Sequence, residues 1–261
     1  MNRTERLNTI LNLLAESGQI EVDEIVEKLA VSPATARRDL DGLAAQRLLS
    51  RTRGGAVKGS VAYDLPSRYN RDDNSLQKQL IAQAASNLIP YGAVVGLSGG
   101  TTNTAIAQVL STRADLNVPS NRPALTVVTN AINIAAQLAV RPNIKIMVTG
   151  GIVNARSYEL VGPFAEATLQ KVALDLAFIG VNGADPTLGP TVNDEGEATV
   201  NALMARRASE AYMVSDSSKI GQRSFATMSG VVFRNLITDA GITAAHKAAF
   251  ESSGVKVIIA R

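Results

Sequence analysis

A run of five small or hydroxylated residues has the composition of an anion-binding loop: Ser98, Gly99, Gly100, Thr101 and Thr102. It follows a predicted strand and leads into a predicted helix from Thr104 to Leu110. Glycines let backbone N–H groups approach an anion closely, threonine hydroxyls add donors, and the helix N-terminus adds partial positive charge. The pattern predicts a phosphate-binding loop, although the same residue types also build ordinary tight turns.

Two common nucleotide-binding motifs are absent from this loop. It lacks the Gly-Lys-Ser/Thr ending of a Walker A loop, and it does not match Gly-x-Gly-x-x-Gly. The sequence therefore supports neither an NTPase nor a dinucleotide-dependent enzyme, and it predicts no cofactor.

Polar residues also follow the other predicted strands, at the positions where open parallel sheets bind ligands. These further candidates for effector binding are Thr129, Asn130, Gly150, Gly151, Asn182, Gly183, Asp216 and Lys219. Lys219 could attract a phosphate or carboxylate as a point charge, or form a surface ion pair with Asp216. Glu197 could accept hydrogen bonds from sugar hydroxyls or cap the following helix. Together with the loop, these residues predict one polar crevice.

A second set of residues has the pattern of a DNA-reading helix. Ser32 is a favourable N-cap and Pro33 suits a first helical turn, so the spacing predicts a helix that runs from there towards Gln46. Arg37 and Arg38 fall in its first turns, which reach base edges and phosphates when a helix-turn-helix docks on DNA.

A basic wing follows this helix. Residues 48–57 alternate like two short strands around a turn, and Arg51 and Arg53 flank a Gly-Gly pair there. Residues 1–36 carry three bases and six acids, whereas residues 37–58 carry six bases and two acids, so the net charge changes from −3 to +4. Positive charge gathered at one end of a small unit is typical of a surface that binds phosphates. The alternative is a small helical domain for protein contacts, with solvated arginines.

Apolar spacing supplies the elements that position these residues. Helical stripes formed by Leu7, Ile10, Leu11 and Leu14, and then by Val22, Ile25, Val26 and Leu29, precede the third helix, in which Leu40 and Leu43 face inward. Gly18 closes the first helix. We therefore predict a winged helix-turn-helix domain over residues 1–57 and a polar linker over residues 58–75.

Short apolar runs alternate with helical stretches from residue 76 to residue 261. Strands are predicted at residues 93–97, 125–129, 144–148, 176–180, 212–215, 236–238 and 255–259. Strands that alternate with helices indicate a largely parallel, Rossmann-like α/β sheet covered by helices on both faces.

The composition excludes several classes of protein. The chain has 261 residues, no cysteine and one histidine, so the usual zinc sites and a Ser-His-Asp triad are not expected. His246 is assigned a structural role near the surface of a late helix. No apolar run approaches the roughly 18 residues that span a bilayer, and the N-terminus does not read as a signal peptide, so a cytoplasmic protein with no membrane contact is expected.

The ordered set of motifs resembles the DeoR family of bacterial transcriptional regulators over almost the whole chain. The matching segments are Val31-Ser32 to Leu40, Gly54-Gly55-Ala56, Gly100-Thr101-Thr102, Val128-Thr129-Asn130, Gly150-Gly151, Leu160-Val161-Gly162-Pro163, Asp216-Ser217-Ser218-Lys219 and Thr238-Asp239. The resemblance implies a DNA-binding winged helix and a sensor domain for a phosphorylated sugar or related metabolite, usually in a homo-oligomer, here a dimer or tetramer. Family members mostly repress genes of carbohydrate uptake and catabolism.

The chain departs from the family pattern in two places. The family commonly has Asp-Ser-Gly-Thr-Thr in the sensor loop, where this chain begins with Ser98-Gly99 and so loses a carboxylate. Either the effector differs, or another acid such as Asp194 or Glu197 substitutes. In the wing, Arg53 stands where a histidine is frequent, which should strengthen phosphate contact and make it less sensitive to pH.

The sensor half also resembles the ribose-5-phosphate isomerase fold, which supplies a rival hypothesis: a sugar-phosphate isomerase with a regulatory headpiece. Gly183-Ala184-Asp185 is similar to a turn of those enzymes, but Pro186 replaces the acid that follows it, and residues 187–205 contain no lysine to stabilise an oxyanion. We therefore expect a sensor and not an enzyme.

The sequence predicts a specific division of the DNA contacts. Thr35, Arg37 and Arg38 are expected to read the major groove, while Ser32, Arg51 and Arg53 hold phosphates. The identity of the effector, the operator, and whether the ligand releases or promotes DNA binding stay open at this point.

Overall fold

A computed structural model of the chain describes residues 6–7, 9–10, 13–14, 17–45, 49–58, 74–117 and 121–261. The chain divides into two compact units, residues 1–70 and 71–261. Most of the predicted linker, residues 59–73, lies outside the described residues, as does Leu11.

The first unit combines helices with a small antiparallel sheet. Its described helices are α1 (Val22–Leu29) and α2 (Pro33–Ala45), and its strands are β1 (Gln19–Glu21), β2 (Leu49–Arg51) and β3 (Gly55–Lys58), in the order β1-β3-β2. Before Gly18, the described residues 6–7, 9–10, 13–14 and 17 are helical. Gly18 has φ 75°, and its N–H donates to the Leu14 carbonyl at 2.9 Å, so it closes that helix as predicted.

One apolar cluster holds this unit together. Ile10, Leu14, Ile25, Leu40 and Leu43 are buried in it, which confirms the predicted inward faces. Strand β1 was not predicted, because in three residues Ile20 alone is apolar and no alternation can be recognised.

The second unit is built on a parallel sheet. Its described helices are α3 (Ser75–Asn87), α4 (Thr101–Thr112), α5 (Ile132–Ala139), α6 (Pro163–Leu169), α7 (Glu195–Arg206) and α8 (Ala244–Ser252). The strands of its large sheet are β4 (Val94–Leu97), β5 (Leu125–Thr129), β6 (Ile144–Val148), β9 (Leu174–Gly180), β12 (Ala208–Val214), β14 (Asn235–Asp239) and β15 (Lys256–Ala260). Within the described residues they lie in the order β15-β14-β12-β9-β4-β5-β6, and every recorded pairing is parallel.

Alternate side chains of the central strands fill two apolar layers. In β9, Phe178 belongs to the layer that contains Ile81 and Ile106 of α3 and α4, whereas Ala177 and Ile179 belong to the layer of α7. A strand that buries side chains on both faces reads as a continuous apolar run. The predicted α/β sheet with helices on both faces is therefore confirmed.

Short strands outside the large sheet were not predicted. They are β7 (Ile152–Val153) paired with β8 (Leu160–Val161), and a small sheet of β10 (Gly183–Asp185), β11 (Gly189–Val192) and β13 (Ala226–Thr227). Runs of two to four residues give too few alternations to be recognised in a sequence. Helix α4 also begins at Thr101, three residues earlier than predicted, so Thr101 and Thr102 form its first turn.

In the part of the chain that the structure describes, no helix has the length and apolar character needed to cross a membrane. His246 lies in α8, half-buried against Gly221, where a Cβ on the glycine would come within 2.7 Å of the imidazole Nε2.

Candidate functional site

The order of the large sheet creates a crevice at the carboxyl ends of β4 and β9. The chain runs from β4 to β5 and β6 on one side, and then returns to β9 on the other side of β4. Such a switch in direction is where open α/β sheets bind ligands. The predicted loop after β4 and the residues after β9 therefore lie at the same opening.

Ser98 joins the two strand ends across this crevice. Its Oγ accepts hydrogen bonds from the Gly180 N–H and from Asn103 Nδ2, each at 3.0 Å. The side chain is fully buried. Ser98 was predicted to contact the effector, but its hydroxyl is engaged in holding β4 to β9.

The N-terminus of α4 lies next to Ser98 and faces open space. Gly100 precedes the helix with φ 101° and ψ 161°, a conformation that L-residues rarely adopt, and within the described part of the chain no side-chain hydrogen bond caps this helix end. A Cβ placed on Gly100 would meet nothing within 4 Å. Since the first N–H groups of a helix lack acceptors within it, the backbone of Thr101 and Thr102 can face an anion there.

A carboxyl group that the sequence did not single out lies against this loop. Glu159 is buried, accepts hydrogen bonds from Asn130 Nδ2 at 3.1 Å and Asn201 Nδ2 at 3.0 Å, and accepts the Gly99 N–H. Burial, and after it the nearby Glu197 carboxylate, raise the pKa of Glu159 to about 8, against the three donors that lower it. Because the Gly99 N–H already has Glu159 as its acceptor, the N–H groups that the predicted loop offers to an anion are those at the start of α4.

Glu197 lies beside Glu159 and does not cap its own helix. Asp194 is the N-cap of α7, because its Oδ1 accepts the Glu197 N–H at 3.0 Å. The buried carboxyl of Glu197 accepts from Asn154 Nδ2 at 2.9 Å. Of the two acids considered as substitutes for the missing loop carboxylate, Asp194 is engaged as a cap.

Of the candidate residues at the ends of β5 and β6, some form hydrogen bonds within the protein and others lie at the surface. Thr129 Oγ1 donates to the Leu97 carbonyl at 2.6 Å and accepts the Ala131 N–H at 3.0 Å, so it fastens β5 to β4. Asn130 is fully buried, and among the described residues its Oδ1 has no hydrogen-bond partner. Gly150 is exposed, and Gly151 has φ 131° next to Val161.

The candidates that follow β9 and β12 also have protein partners. Asn182 Oδ1 accepts the Asn193 N–H at 3.2 Å. A Cβ on Gly183 would come within 2.5 Å of the Gln222 carbonyl oxygen, so close packing explains this glycine. Lys219 Nζ donates to the Val181 carbonyl at 3.2 Å, which brings its charge to the end of β9.

Asp216 caps the short 3₁₀ helix Ser217–Lys219. Its Oδ1 accepts the Ser218 N–H at 3.2 Å and Asn74 Nδ2 at 3.3 Å. The structure thus gives Asp216 a local role in positioning Lys219.

The carboxylate that suggested an isomerase is engaged in a turn. Asp185 accepts N–H groups from Thr187 and Leu188 and pairs with Arg223 Nε at 2.7 Å. The Arg223 hydrogen bond and those two backbone donors hold the pKa of Asp185 down at about 2. A carboxylate so stabilised is a poor base for moving a substrate proton near neutral pH.

A cavity of about 300 Å³ lies at the opposite end of the sheet. Ala208, Glu210 and Asn235 line it near the amino ends of β12 and β14. Because ligands of open parallel sheets bind at the carboxyl ends, we place the effector site at the β4 and β9 opening and not there.

The predicted DNA-reading helix has the expected cap. The Thr35 N–H donates to Ser32 Oγ at 3.2 Å, and the two hydroxyls lie 2.9 Å apart, which confirms Ser32 as the N-cap of α2. Its predicted end at Gln46 falls outside the described residues. Arg37 and Arg38 are exposed on α2, and Arg53 is exposed between β2 and β3.

Two acids of this unit are neutralised internally. Asp39 is buried and pairs with Arg6, and the exposed Asp41 pairs with Arg51 at 2.9 Å. Arg51 also donates to the Gly55 carbonyl at 2.6 Å. Arg51, which was predicted to hold a phosphate, thus also contacts both Asp41 and the wing backbone.

Comparison with known proteins finds relatives over both units. Residues 6–60 match the DeoR-like helix-turn-helix domain, and residues 73–240 match the DeoR C terminal sensor domain. The chain is 34% identical to the HTH-type transcriptional regulator GlpR of Haloferax volcanii over 97% of this chain and 96% of that protein. It is 30% identical to the glycerol-3-phosphate regulon repressor of Escherichia coli K12, covering 88% of each chain. It is also 30% identical to the putative aga operon transcriptional repressor of E. coli O157:H7, over 98% and 93%.

Solved structures match part of the chain. Ribose 5-phosphate isomerase A from Methanocaldococcus jannaschii is 18% identical, and the match covers 55% of this chain and 53% of that one, with a TM-score of 0.40. The probable sor operon regulator from Shigella flexneri is 13% identical over 57% and 78%, with a TM-score of 0.37.

Proposed function

The chain belongs to the DeoR family of transcriptional regulators, and on that premise we propose that it represses genes of carbohydrate uptake or catabolism under the control of a phosphorylated sugar or related metabolite. The observation that carries the effector class is the uncapped N-terminus of α4, which faces open space at the switch point of the sheet. Lys219 adds positive charge at the end of the neighbouring β9.

The first unit supplies the means of DNA binding. Arg37 and Arg38 are exposed near the start of α2, in the place from which a recognition helix reaches base edges. Arg53 in the wing is exposed for a phosphate contact, while Arg51 keeps the wing in shape through Asp41 and Gly55. A homo-oligomer would place two such units on half-sites about one helical turn apart.

The relatives support a phosphorylated effector. One of them is named for the glycerol-3-phosphate regulon. A phosphate fits the first turn of α4, because backbone N–H groups and the helix dipole both favour a negative group there. Binding can change DNA affinity only by as much as the effector prefers one state of the protein over the other.

The experiment is a titration of the full chain onto labelled DNA from upstream of its own gene, at two salt concentrations. It is repeated with sugar phosphates, each matched against its unphosphorylated sugar. We expect tight binding that weakens with salt, and a change in affinity caused by one or more phosphorylated compounds alone. Loss of the change when the phosphate is removed would identify the charged group as the determinant.

Two outcomes would contradict the proposal. If no upstream fragment binds more tightly than unrelated DNA, the protein is not a regulator of its own region. If a sugar phosphate is converted into another compound while DNA affinity stays constant, the second unit is an isomerase, as the rival hypothesis states.

A further inference from the structure

Glu159 packs against Gly99 in the loop after β4, which differs from the family pattern at positions 98 and 99. A Cβ on Gly99 would lie 2.5 Å from both Glu159 Cγ and Glu159 Oε1. The serine that the family commonly carries at this position would therefore collide with Glu159. Glycine at 99 makes room for the carboxyl group, in a loop whose own carboxylate is replaced by Ser98.

Buried polar groups surround the carboxyl group of Glu159. Asn130 and Asn201 are both fully buried, and each directs an amide donor at the same carboxyl oxygen, Glu159 Oε2. The Gly99 N–H supplies a further donor. Asn130 Oδ1 stays without a hydrogen-bond partner among the described residues, although it is buried. A buried acceptor of this kind costs free energy unless a donor reaches it.

This polar cluster adjoins the proposed phosphate site. Gly99 touches Glu159 on one side and is followed on the other by Gly100, whose Cα faces open space at the uncapped end of α4. A phosphate on the first turn of α4 would thus hold the rest of its molecule within reach of Glu159 and Asn130. The acceptor oxygens of Glu159 and Asn130 would bind hydroxyl hydrogens of that molecule.

We propose that Glu159 replaces the carboxylate missing from position 98 and selects effectors that carry a hydroxyl group beside the phosphate. The proposal rests on the proposed function, because it takes the phosphate to bind at α4. It assigns Glu159, on the hairpin of β7 and β8, as the specificity-determining residue. The effector class is a phosphorylated polyhydroxy compound, as opposed to a simple phosphoester.

The test compares hydroxylated phosphates with alkyl phosphates by calorimetric titration of the full chain. The probes are sn-glycerol 3-phosphate and D-ribose 5-phosphate, with propyl phosphate and inorganic phosphate as references. We expect the unmodified chain to prefer at least one hydroxylated probe over propyl phosphate by about tenfold or more, since a site built to bind a hydroxyl rejects analogues without it. Glu159→Ala should abolish that preference, because it removes the acceptor oxygens, and should leave the affinity for inorganic phosphate little changed. Glu195→Ala, at an exposed acid at the start of α7, is the matched control and should keep the preference.

A second variant moves the carboxylate back into the loop. The triple replacement Ser98→Asp, Gly99→Ser and Glu159→Ser should regain a preference for the hydroxylated probe. Thermal unfolding supplies a readout that needs no ligand. Gly99→Ser alone should lower Tm by several degrees, and the additional Glu159→Ser should recover most of that loss, because the collision is then removed.

The outcomes separate this inference from the proposed function. If Glu159→Ala retains the preference, or if it weakens the binding of inorganic phosphate and of the hydroxylated probes equally, Glu159 does not select the effector and the inference is wrong. Equal Tm losses for Gly99→Ser with and without Glu159 would also overturn it. If the unmodified chain binds no phosphate compound at all, the proposed effector class fails and this inference fails with it.

Discussion

Arg37 and Arg38 differ from Arg51 in what surrounds their guanidinium groups. The first two are exposed on α2, whereas Arg51 pairs with Asp41 and donates to the Gly55 carbonyl. A guanidinium that already has protein partners has fewer N–H groups left for DNA. The residues of the first unit should therefore contribute to DNA binding in distinguishable ways.

Arg37→Ala or Arg38→Ala should cost about 1 to 3 kcal/mol of operator binding and relax specificity if the side chain reads a guanine. Arg53→Ala should weaken binding to all sequences alike and reduce the salt slope by about one. Competition titrations against operator and unrelated DNA, at several salt concentrations, measure both effects. Lys28→Ala, which removes an exposed helix pair with Glu24, is the control. Unchanged affinity in all three arginine variants would exclude this docking.

The buried carboxyl of Glu159 makes the stability of the second unit depend on pH. Its pKa rises from an ordinary value of 4.5 to about 8, so the folded state holds a proton that the unfolded chain releases between those values. This contribution to stability is fully present below about pH 4.5 and is lost as the pH rises through about 8. Tm measured between about pH 5.5 and about pH 8.5 should fall more in the unmodified chain than in Glu159→Gln. An identical pH dependence of the two proteins would show that Glu159 ionises normally.

Among the elements of the first unit, the wing keeps its conformation only if strands β1 and β3 pack closely. A Cβ on Gly55 would lie 2.0 Å from the Ile20 carbonyl oxygen, and both residues belong to paired strands. Gly55→Ala should therefore separate the strands and weaken DNA binding, while phosphate binding by the second unit persists. The measurement pairs a DNA titration with a phosphate titration on the same variant. Normal DNA binding by Gly55→Ala would show that the wing tolerates a different approach of β1.

The sequence predicts the long elements better than the short ones, for a physical reason. Strands β5 and β6 have the predicted bounds, because each is a run of five residues rich in β-branched and apolar side chains. The hairpin of β7 and β8 has two-residue strands, which carry no periodicity. Glu159 directly precedes β8, and the sequence did not identify it as a site residue. It meets Gly99, which lies 60 positions earlier in the sequence, only in the folded chain. Ser98 and Gly99 indicated in the sequence that the loop differs from the family pattern. Residue spacing could not show that Glu159 occupies the space beside Gly99.

Predicted site residues at the strand ends proved to be partly scaffold. Ser98 and Thr129 have the hydroxyls expected of ligand contacts, yet they fasten β4 to its neighbours β9 and β5. A sequence shows that a hydroxyl stands at a strand end, and it does not show which acceptor the hydroxyl reaches. The ligand role of all these candidates, Ser98 and Thr129 as well as Lys219 and Glu197, stays a prediction.

At the scale of the whole molecule, the chain consists of two compact units, residues 1–70 and 71–261, each with an apolar core of its own. We expect a phosphorylated effector to stabilise the second unit directly, by about 2.7 kcal/mol at a hundred times its Kd. Calorimetric unfolding of the full chain should show the transition of that unit move to higher temperature with sn-glycerol 3-phosphate or D-ribose 5-phosphate. A shift confined to the transition that abolishes DNA binding would place the ligand in the first unit instead.

The central claim is that effector binding in the second unit and DNA binding in the first are coupled, and reciprocity tests it most directly. By linkage, the factor by which a phosphorylated compound changes DNA affinity must equal the factor by which DNA changes the affinity for that compound. The measurement is the Kd of the hydroxylated phosphate for the full chain, free and saturated with its upstream DNA fragment. We predict a change of about 5- to 150-fold, equal to that found in the DNA titration. An effector Kd that is the same with and without bound DNA would contradict the account.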